Sequence, residues 1–95
     1  MKIITACGLG TGTALFLKMT VDSILKKEGI DATVETADST LAPTIDADII
    51  VTARDLKARF AGRARAREII AIDNYGNREE IRQKLLEAIG RLNDA

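Results

Sequence analysis

A short apolar run near the start of the chain is stopped abruptly by glycine. Lys2-Ile3-Ile4-Thr5-Ala6 leads into Cys7, and Gly8, Gly10 and Gly12 then fill three of the next five positions. That density of glycine can continue neither a strand nor a helix. It predicts a loop from Gly8 to Thr13 whose backbone takes unusual dihedrals or approaches something closely. The period then changes. Ala14, Leu17, Val21, Ile24 and Leu25 recur at helical spacing between about Thr13 and Glu28, with Lys18, Asp22, Lys26 and Lys27 lying away from them. Gly29 is the expected helix stop. A strand, a glycine loop and a helix in this order open an α/β fold.

The remainder keeps the alternation. Ala32 to Thr36, centred on Val34 with Ile30 just before it, is expected to be a second strand. Asp38-Ser39-Thr40 offers an N-cap for a loop or short helical turn over Leu41 to Ile45, which contains Pro43. After Asp48, the β-branched run Ile49-Ile50-Val51-Thr52-Ala53 has the character of a central parallel strand. Arg54 to Arg67 is charged and irregular, with a short helix expected over its first half, and Glu68 to Ile72 is a fourth strand. Asn74-Tyr75-Gly76-Asn77 is a turn in which Asn77 caps a final helix. That helix carries Glu79 and Glu80 in its first turn and a stripe of Ile81, Leu85, Ala88, Ile89 and Leu92 to about Asn93. The expected architecture is a three-layer α/β sandwich: a four-stranded parallel sheet flanked by helices, joined by right-handed crossovers.

Composition narrows the chemistry. Ninety-five residues supply one hydrophobic core, so the whole of 1–95 is expected to be one domain. A single cysteine forms no internal disulfide, and with no histidine in the chain a zinc site or a histidine general base is excluded. No apolar run approaches the roughly 20 residues needed to span a bilayer. The N-terminal stretch lacks the length and cleavage pattern of a signal peptide. The expectation is therefore a cytosolic protein that does not insert into membranes, with no metal or organic cofactor. Lys plus Arg equal Asp plus Glu at 14 each. Zero net charge and few aromatics argue against nucleic acid as a partner.

In a parallel sheet, ligands bind beyond the carboxyl ends of the strands, where Cys7 is placed. Backbone amides from Gly8 to Ala14 at the start of a helix form a nest for an anion, and the same field favours the thiolate of Cys7. Thr11 and Thr13 add hydroxyls. Three familiar loops do not fit. The Walker loop needs a Gly-Lys-Ser/Thr ending that is missing, and the dinucleotide fingerprint needs glycine where Thr13 stands. A phosphatase loop of the Cys-five-Arg kind needs arginine at that same position to hold a transferring phosphoryl group. The competing reading is that Cys7 is a small buried apolar residue and the glycines only make a tight turn.

The loop Cys7-Gly8-Leu9-Gly10-Thr11-Gly12-Thr13 resembles the phosphocysteine loop of enzyme IIB subunits of the bacterial sugar phosphotransferase system (PTS), in the group that includes the ascorbate and galactitol types. The resemblance continues through Leu17-Lys18-Met19, Gly29-Ile30-Asp31-Ala32 and Ala47-Asp48-Ile49-Ile50-Val51-Thr52. It implies a fold similar to the low-molecular-weight tyrosine phosphatases. It also implies a role: Cys7 takes phosphate from a phosphohistidine on enzyme IIA and passes it to a sugar, ascorbate-like, held by the membrane subunit IIC. Gly8, Leu9, Gly10, Thr11, Gly12, Thr13 and Ala14 are the implied phosphate cradle. The missing arginine suits a carrier, for which attack by water would be harmful. Family loops often end Thr-Ser or Ser-Ser; here the ending is Thr13-Ala14, so one hydroxyl ligand is absent. A small cysteine-dependent phosphatase and a non-covalent phosphate-binding regulatory module are the alternatives.

Two further features bear on partners. Arg54, Lys57, Arg59, Arg63, Arg65 and Arg67 set six cations against Asp55 within fourteen residues. Arg54, directly after the third strand, is expected to steer phosphate or an acidic partner, and the others to be solvated surface. Asp73, after the fourth strand, is expected to be a turn residue. Phe16 and Met19 lie off the Ala14-Leu17-Val21 stripe; a broad apolar face that buries them is the simpler expectation, and a docking patch beside the loop the alternative.

Overall fold

The computed structural model describes residues 1–7, 11–38, 41–54, 60, 65–74 and 76–94, and at residues 7, 11–14, 38, 43 and 94 it describes the backbone alone. Four strands, β1 (Lys2–Cys7), β2 (Thr33–Asp38), β3 (Ile49–Ala53) and β4 (Glu68–Ile72), form one parallel sheet in the order β2-β1-β3-β4. Two long helices, α1 (Thr11–Glu28) and α2 (Arg78–Asp94), accompany it, with a 3-10 turn at Ala42–Thr44.

Strand order decides which face each connection covers. The chain leaves β1 toward β2, then reverses, crossing back over β1 to β3 and on to β4. With right-handed crossovers, that reversal sends α1 to one face and the two later connections to the other. The core is divided accordingly. On one face Ile3, Ile49, Val51, Ile70 and Ile72 meet Leu17, Val21, Ile24 and Leu25 of α1 and Ile81, Leu85, Ala88 and Ile89 of α2. On the other, Ile4, Ala6 and Ile50 meet Ala42 of the 3-10 turn and Phe60. Both faces of β1 and β3 are thus covered, which is why those strands lack polar alternation. Full burial of each aliphatic side chain contributes about 1.5–3 kcal/mol.

Most element boundaries fall where the pattern puts them, and the deviations have causes. β2 begins one residue late and runs on to Asp38, because an edge strand is held by register rather than by a continuous apolar run. Its residues 33–38 pair one-to-one with residues 2–7 of β1. Asp38 is therefore a strand residue and not an N-cap; Leu41 occupies the cap of the 3-10 turn and makes no side-chain cap bond. Asn77 does cap α2, its Oδ1 accepting the Glu80 N–H at 3.1 Å. At the amino edge of the sheet Asp48 acts as a clip. Its carboxylate accepts the Lys2 N–H at 2.8 Å, its own N–H donates to the Lys2 carbonyl, and its carbonyl accepts from Glu68 N–H. The helix expected over the first half of 54–67 lies largely outside the described residues.

Candidate functional site

β1 ends at Cys7, and the register sets its surroundings. Cys7 is opposite Asp38 on β2, and the residue before it, Ala6, is opposite Thr52 on β3. Because the chain reverses direction at β1, the carboxyl ends of β1 and β3 form the switch point of the sheet, the usual place for a ligand in an open α/β fold. Arg54 follows β3 and Asp73 follows β4 on the same edge.

Three residues, 8–10, separate Cys7 from the first residue of α1, so the helix must begin close to the end of β1. The expected six-residue loop is thereby shortened: Thr11, Gly12 and Thr13 belong to the helix. Gly8, Leu9 and Gly10 lie outside the described residues. The change matters chemically, because the first four N–H groups of a helix have no intrahelical acceptor. The two helices treat this end differently. α2 satisfies its own N-terminus with Asn77 and carries Glu79 and Glu80 in its first turn. The first turn of α1 holds no acidic residue, leaving its partial positive charge uncompensated from within.

Away from Cys7 the edge is a chain of charges. The Arg54 guanidinium, 80% exposed, stands 3.6 Å from the Asp73 carboxylate, which also lies 3.8 Å from Lys84 Nζ. Lys84 donates to Glu80 and to the Ala71 carbonyl, both at 2.7 Å, closing the free edge of β4. Lysine used this way discourages further strand pairing. Glu80 in turn accepts the N–H groups of Asp73 and Asn74. The hydrogen bond from Lys84, followed by that from the Asp73 N–H, holds the Glu80 carboxyl below its usual range. A cleft of about 440 Å³ runs along this edge, lined by Arg54, Asp73, Lys84, Glu87 and Arg91 among others. Its cations already have carboxylates (Arg54 with Asp73, Lys84 with Glu80, Arg91 with Glu68), so it offers no unpaired charge to an anion.

The sequence analysis placed Cys7 and Arg54 on one edge, and the structure does the same. It missed the Glu80–Lys84 pair, which acidic and basic residues four apart on α2 signal. The simpler expectation for Phe16 and Met19 is overturned: they are 50% and 63% exposed, because the stripe of Leu17, Val21, Ile24 and Leu25 alone fills the sheet-facing side of α1. Thr52 is wholly buried, and its hydroxyl has no hydrogen-bond partner among the described residues. No three His, Cys, Asp or Glu side chains among those residues come together to hold a metal ion, and none of their helices is long and apolar enough to cross a membrane.

Known proteins resemble this chain in sequence and in fold. Residues 2–87 match the family model described as PTS system, lactose/cellobiose-specific IIB subunit. The chain is 34% identical over 91 residues to the ascorbate-specific PTS system EIIB component of Mycoplasma pneumoniae, covering 94% of this chain and 95% of that protein. Its fold is similar to the lactose-specific IIB domain of Streptococcus pneumoniae, with a TM-score of 0.68 at 15% identity over 99% of this chain and 95% of that one. It is also similar to a low-molecular-weight protein tyrosine phosphatase from Bacillus subtilis, with a TM-score of 0.56 at 15% identity over 97% and 92% of the two chains.

Proposed function

The chain belongs to the IIB family of the sugar phosphotransferase system, and on that premise we propose that Cys7 is the residue that carries the phosphoryl group. The observation that carries the proposal is the position of Cys7 at the switch-point end of β1, with three residues between it and a helix whose first turn holds no acid of its own. The thiolate attacks phosphorus on a phosphohistidine of the IIA donor. The N–P bond breaks as the S–P bond forms, and the departing imidazole takes up a proton equivalent to the one the thiol released. Amides from Gly8 to Ala14 and the hydroxyls of Thr11 and Thr13 cradle the dianion. The second transfer reverses the roles: a sugar hydroxyl held by the membrane subunit IIC attacks, and the thiolate leaves.

The fold is similar to that of a low-molecular-weight phosphatase as well as to that of a IIB domain, and the residue at position 13 argues for the carrier. Thr13 stands where a phosphatase loop has its arginine, so the cradle lacks a bidentate clamp for the transition state of hydrolysis. Arg54, on the same edge, stands 3.6 Å from Asp73, so any pull on the incoming dianion begins only where the phosphate competes with that carboxylate. The substrate we assign is ascorbate-like, on the 34% identity to the ascorbate-specific relative over nearly the full length of both proteins.

Intact-mass measurement tests this reading. The protein is incubated with the general phosphotransferase proteins, its cognate IIA and phosphoenolpyruvate. Gain of one phosphate by the wild type and none by Cys7→Ser is the expected result. No gain from an active IIA, or turnover of an aryl phosphate by the isolated protein, overturns it.

A further inference from the structure

The edge strand β2 ends on an acid. Asp38 is its last residue and the Cα partner of Cys7 on β1. Neighbouring strands lie about 4.8 Å apart, and residues opposite one another in a parallel pair share a face of the sheet. Which face is settled by Ile3 and Val34, also Cα partners, which lie in one core with Leu17 and Val21 of α1. Residues 3, 5 and 7 of β1 and 34, 36 and 38 of β2 therefore belong to the side that α1 covers. That helix starts at the same end of the sheet, three residues on from Cys7. β1 and β3 contain no acidic residue, and Glu35 of β2 belongs to the opposite face, where it pairs with Lys2. Of the acids on these three strands, only Asp38 shares the face and the end of the sheet with Cys7. Among the described residues, the charges of the surrounding elements are matched to one another: Arg54 with Asp73, Lys84 with Glu80, and Lys18 of α1 with Asp22.

We propose that Asp38 is an electrostatic counterweight to the N-terminus of α1: its charge, at the register position opposite Cys7, disfavours the anionic forms of that sulfur and so makes the phosphocysteine a ready donor. The inference rests on the phosphocarrier reading and names a residue that sets the transfer potential of its site. The first-turn amides of α1 stabilise an anion on the sulfur. A site with that pull alone would take phosphate readily and release it slowly. A fixed negative charge one strand away raises the free energy of a thiolate or a phosphothiol and leaves a neutral thiol nearly unaffected. The equilibrium with the IIA donor then lies less far toward the phosphothiol, and delivery to the sugar lies further forward. No bond to Asp38 forms or breaks in either transfer. On uptake S–P forms as N–P breaks. On delivery O–P forms as S–P breaks, and the proton lost by the sugar hydroxyl balances the one the thiolate takes up. Asp38 acts through Cys7 and is a positioning residue, not a catalytic one.

Cys7 is the only cysteine of the chain, so alkylation by iodoacetamide, followed by intact mass, reports on its thiolate alone. In Asp38→Asn the pH of half-maximal alkylation rate is expected to fall by about one unit, and in Asp38→Glu to stay near that of the wild type. Equilibration with phosphorylated IIA is expected to leave Asp38→Asn about 3- to 10-fold further toward the phosphothiol than the wild type. Asparagine removes the charge and keeps the size of the side chain, and circular-dichroism melts check the folding. Asp38→Ser repeats both measurements should the asparagine variant fail to fold. An alkylation profile that the neutral variants leave unmoved overturns the proposal. So does an equal shift in the asparagine and glutamate variants, which would make the role of Asp38 structural. A profile that moves while the phosphate equilibrium stays at the wild-type value removes Asp38 from the transfer potential and overturns it as well. If the wild type takes up no phosphate from an active IIA, the carrier reading falls, and the alkylation profile still decides whether Asp38 acts on Cys7.

Discussion

Glu80, in the first turn of α2, accepts the backbone N–H of Asp73 at 2.9 Å and so fastens the helix to the residue that follows β4. A second bond, from the Asn74 N–H at 3.1 Å, and the ion pair with Lys84 complete the joint. The carboxylate form is the one that accepts these bonds, and its pKa is lowered in the folded protein, by Lys84 first and the Asp73 N–H next. The unfolded state therefore binds more protons between the lowered value and the ordinary one near 4.3. The stabilisation is complete above the ordinary value and is lost as pH falls through the lowered one. Glu80→Gln is expected to cost about 1–3 kcal/mol at neutral pH and to flatten the loss of stability below pH of about 4. Urea melts of both proteins across the acid range measure this; equal slopes in acid would remove the Glu80 contribution.

The end of α1 supports a second prediction. Gly29 has φ of +71°, and a Cβ built there meets no atom within 4 Å. The bonds from Gly29 N–H to the Lys26 carbonyl and from Ile30 N–H to the Leu25 carbonyl form a Schellman cap, with Ile30 packed against the core. Space is therefore available, and the backbone angle alone penalises a side chain. Gly29→Ala is expected to cost about 1 kcal/mol, a fall in Tm of roughly 4–8 °C, and Gly29→Asn less. A thermal melt in which alanine matches glycine would contradict the left-handed cap.

Where sequence and structure agree, the signal was steric and local. Gly29 ends a helix because its φ demands it, and the 49–53 run is a central strand because β-branched residues suit a site buried on both faces. Cys7 was legible because an apolar run and a glycine cluster locate a strand end without knowledge of the partners. The extension of β2 to Asp38 was not legible, since what holds it is pairing with Cys7, a residue thirty-one positions away. Nor was the exposure of Phe16 and Met19. Periodicity says which residues share a helix face but not how wide a face the sheet can cover. The start of α1 at Thr11 was likewise hidden, because glycine weakens a helix without forbidding its first turn.

Thr52 offers a test of the covered sheet. Its hydroxyl is fully buried with no hydrogen-bond partner among the described residues, and a buried hydroxyl without a partner costs roughly 1–3 kcal/mol. Valine has nearly the same shape. Thr52→Val is expected to raise stability by about 1 kcal/mol and Tm by roughly 4–8 °C while leaving phosphoryl uptake unchanged. Loss of stability in the valine variant would mean that the hydroxyl is satisfied. Loss of uptake at wild-type stability would mean that it serves the loop after Cys7, one strand away.

The lifetime of the phosphothiol gives the last prediction. Ala14 is the fourth residue of α1, at the end of the first turn that follows Cys7, and it is the position where the sequence resemblance leads to the expectation of a hydroxyl. A hydroxyl at that position adds a donor to the ground-state phosphate, and a hydrogen bond to a charged group contributes about 1.5–3 kcal/mol where it is well aligned. Part of that is retained in the transition state of hydrolysis, so the net gain in lifetime is smaller, roughly 3- to 10-fold for a surviving difference near 1 kcal/mol. Ala14→Ser is therefore expected to lengthen the half-life of the phosphorylated protein, followed by intact mass after the donor is removed. The same added bond must be broken in the forward direction, so transfer to the sugar should slow by a similar factor. A longer half-life with unchanged transfer would place the new hydroxyl against water rather than against phosphate. An unchanged half-life would take position 14 out of the cradle and leave the amides of the preceding residues to hold the dianion.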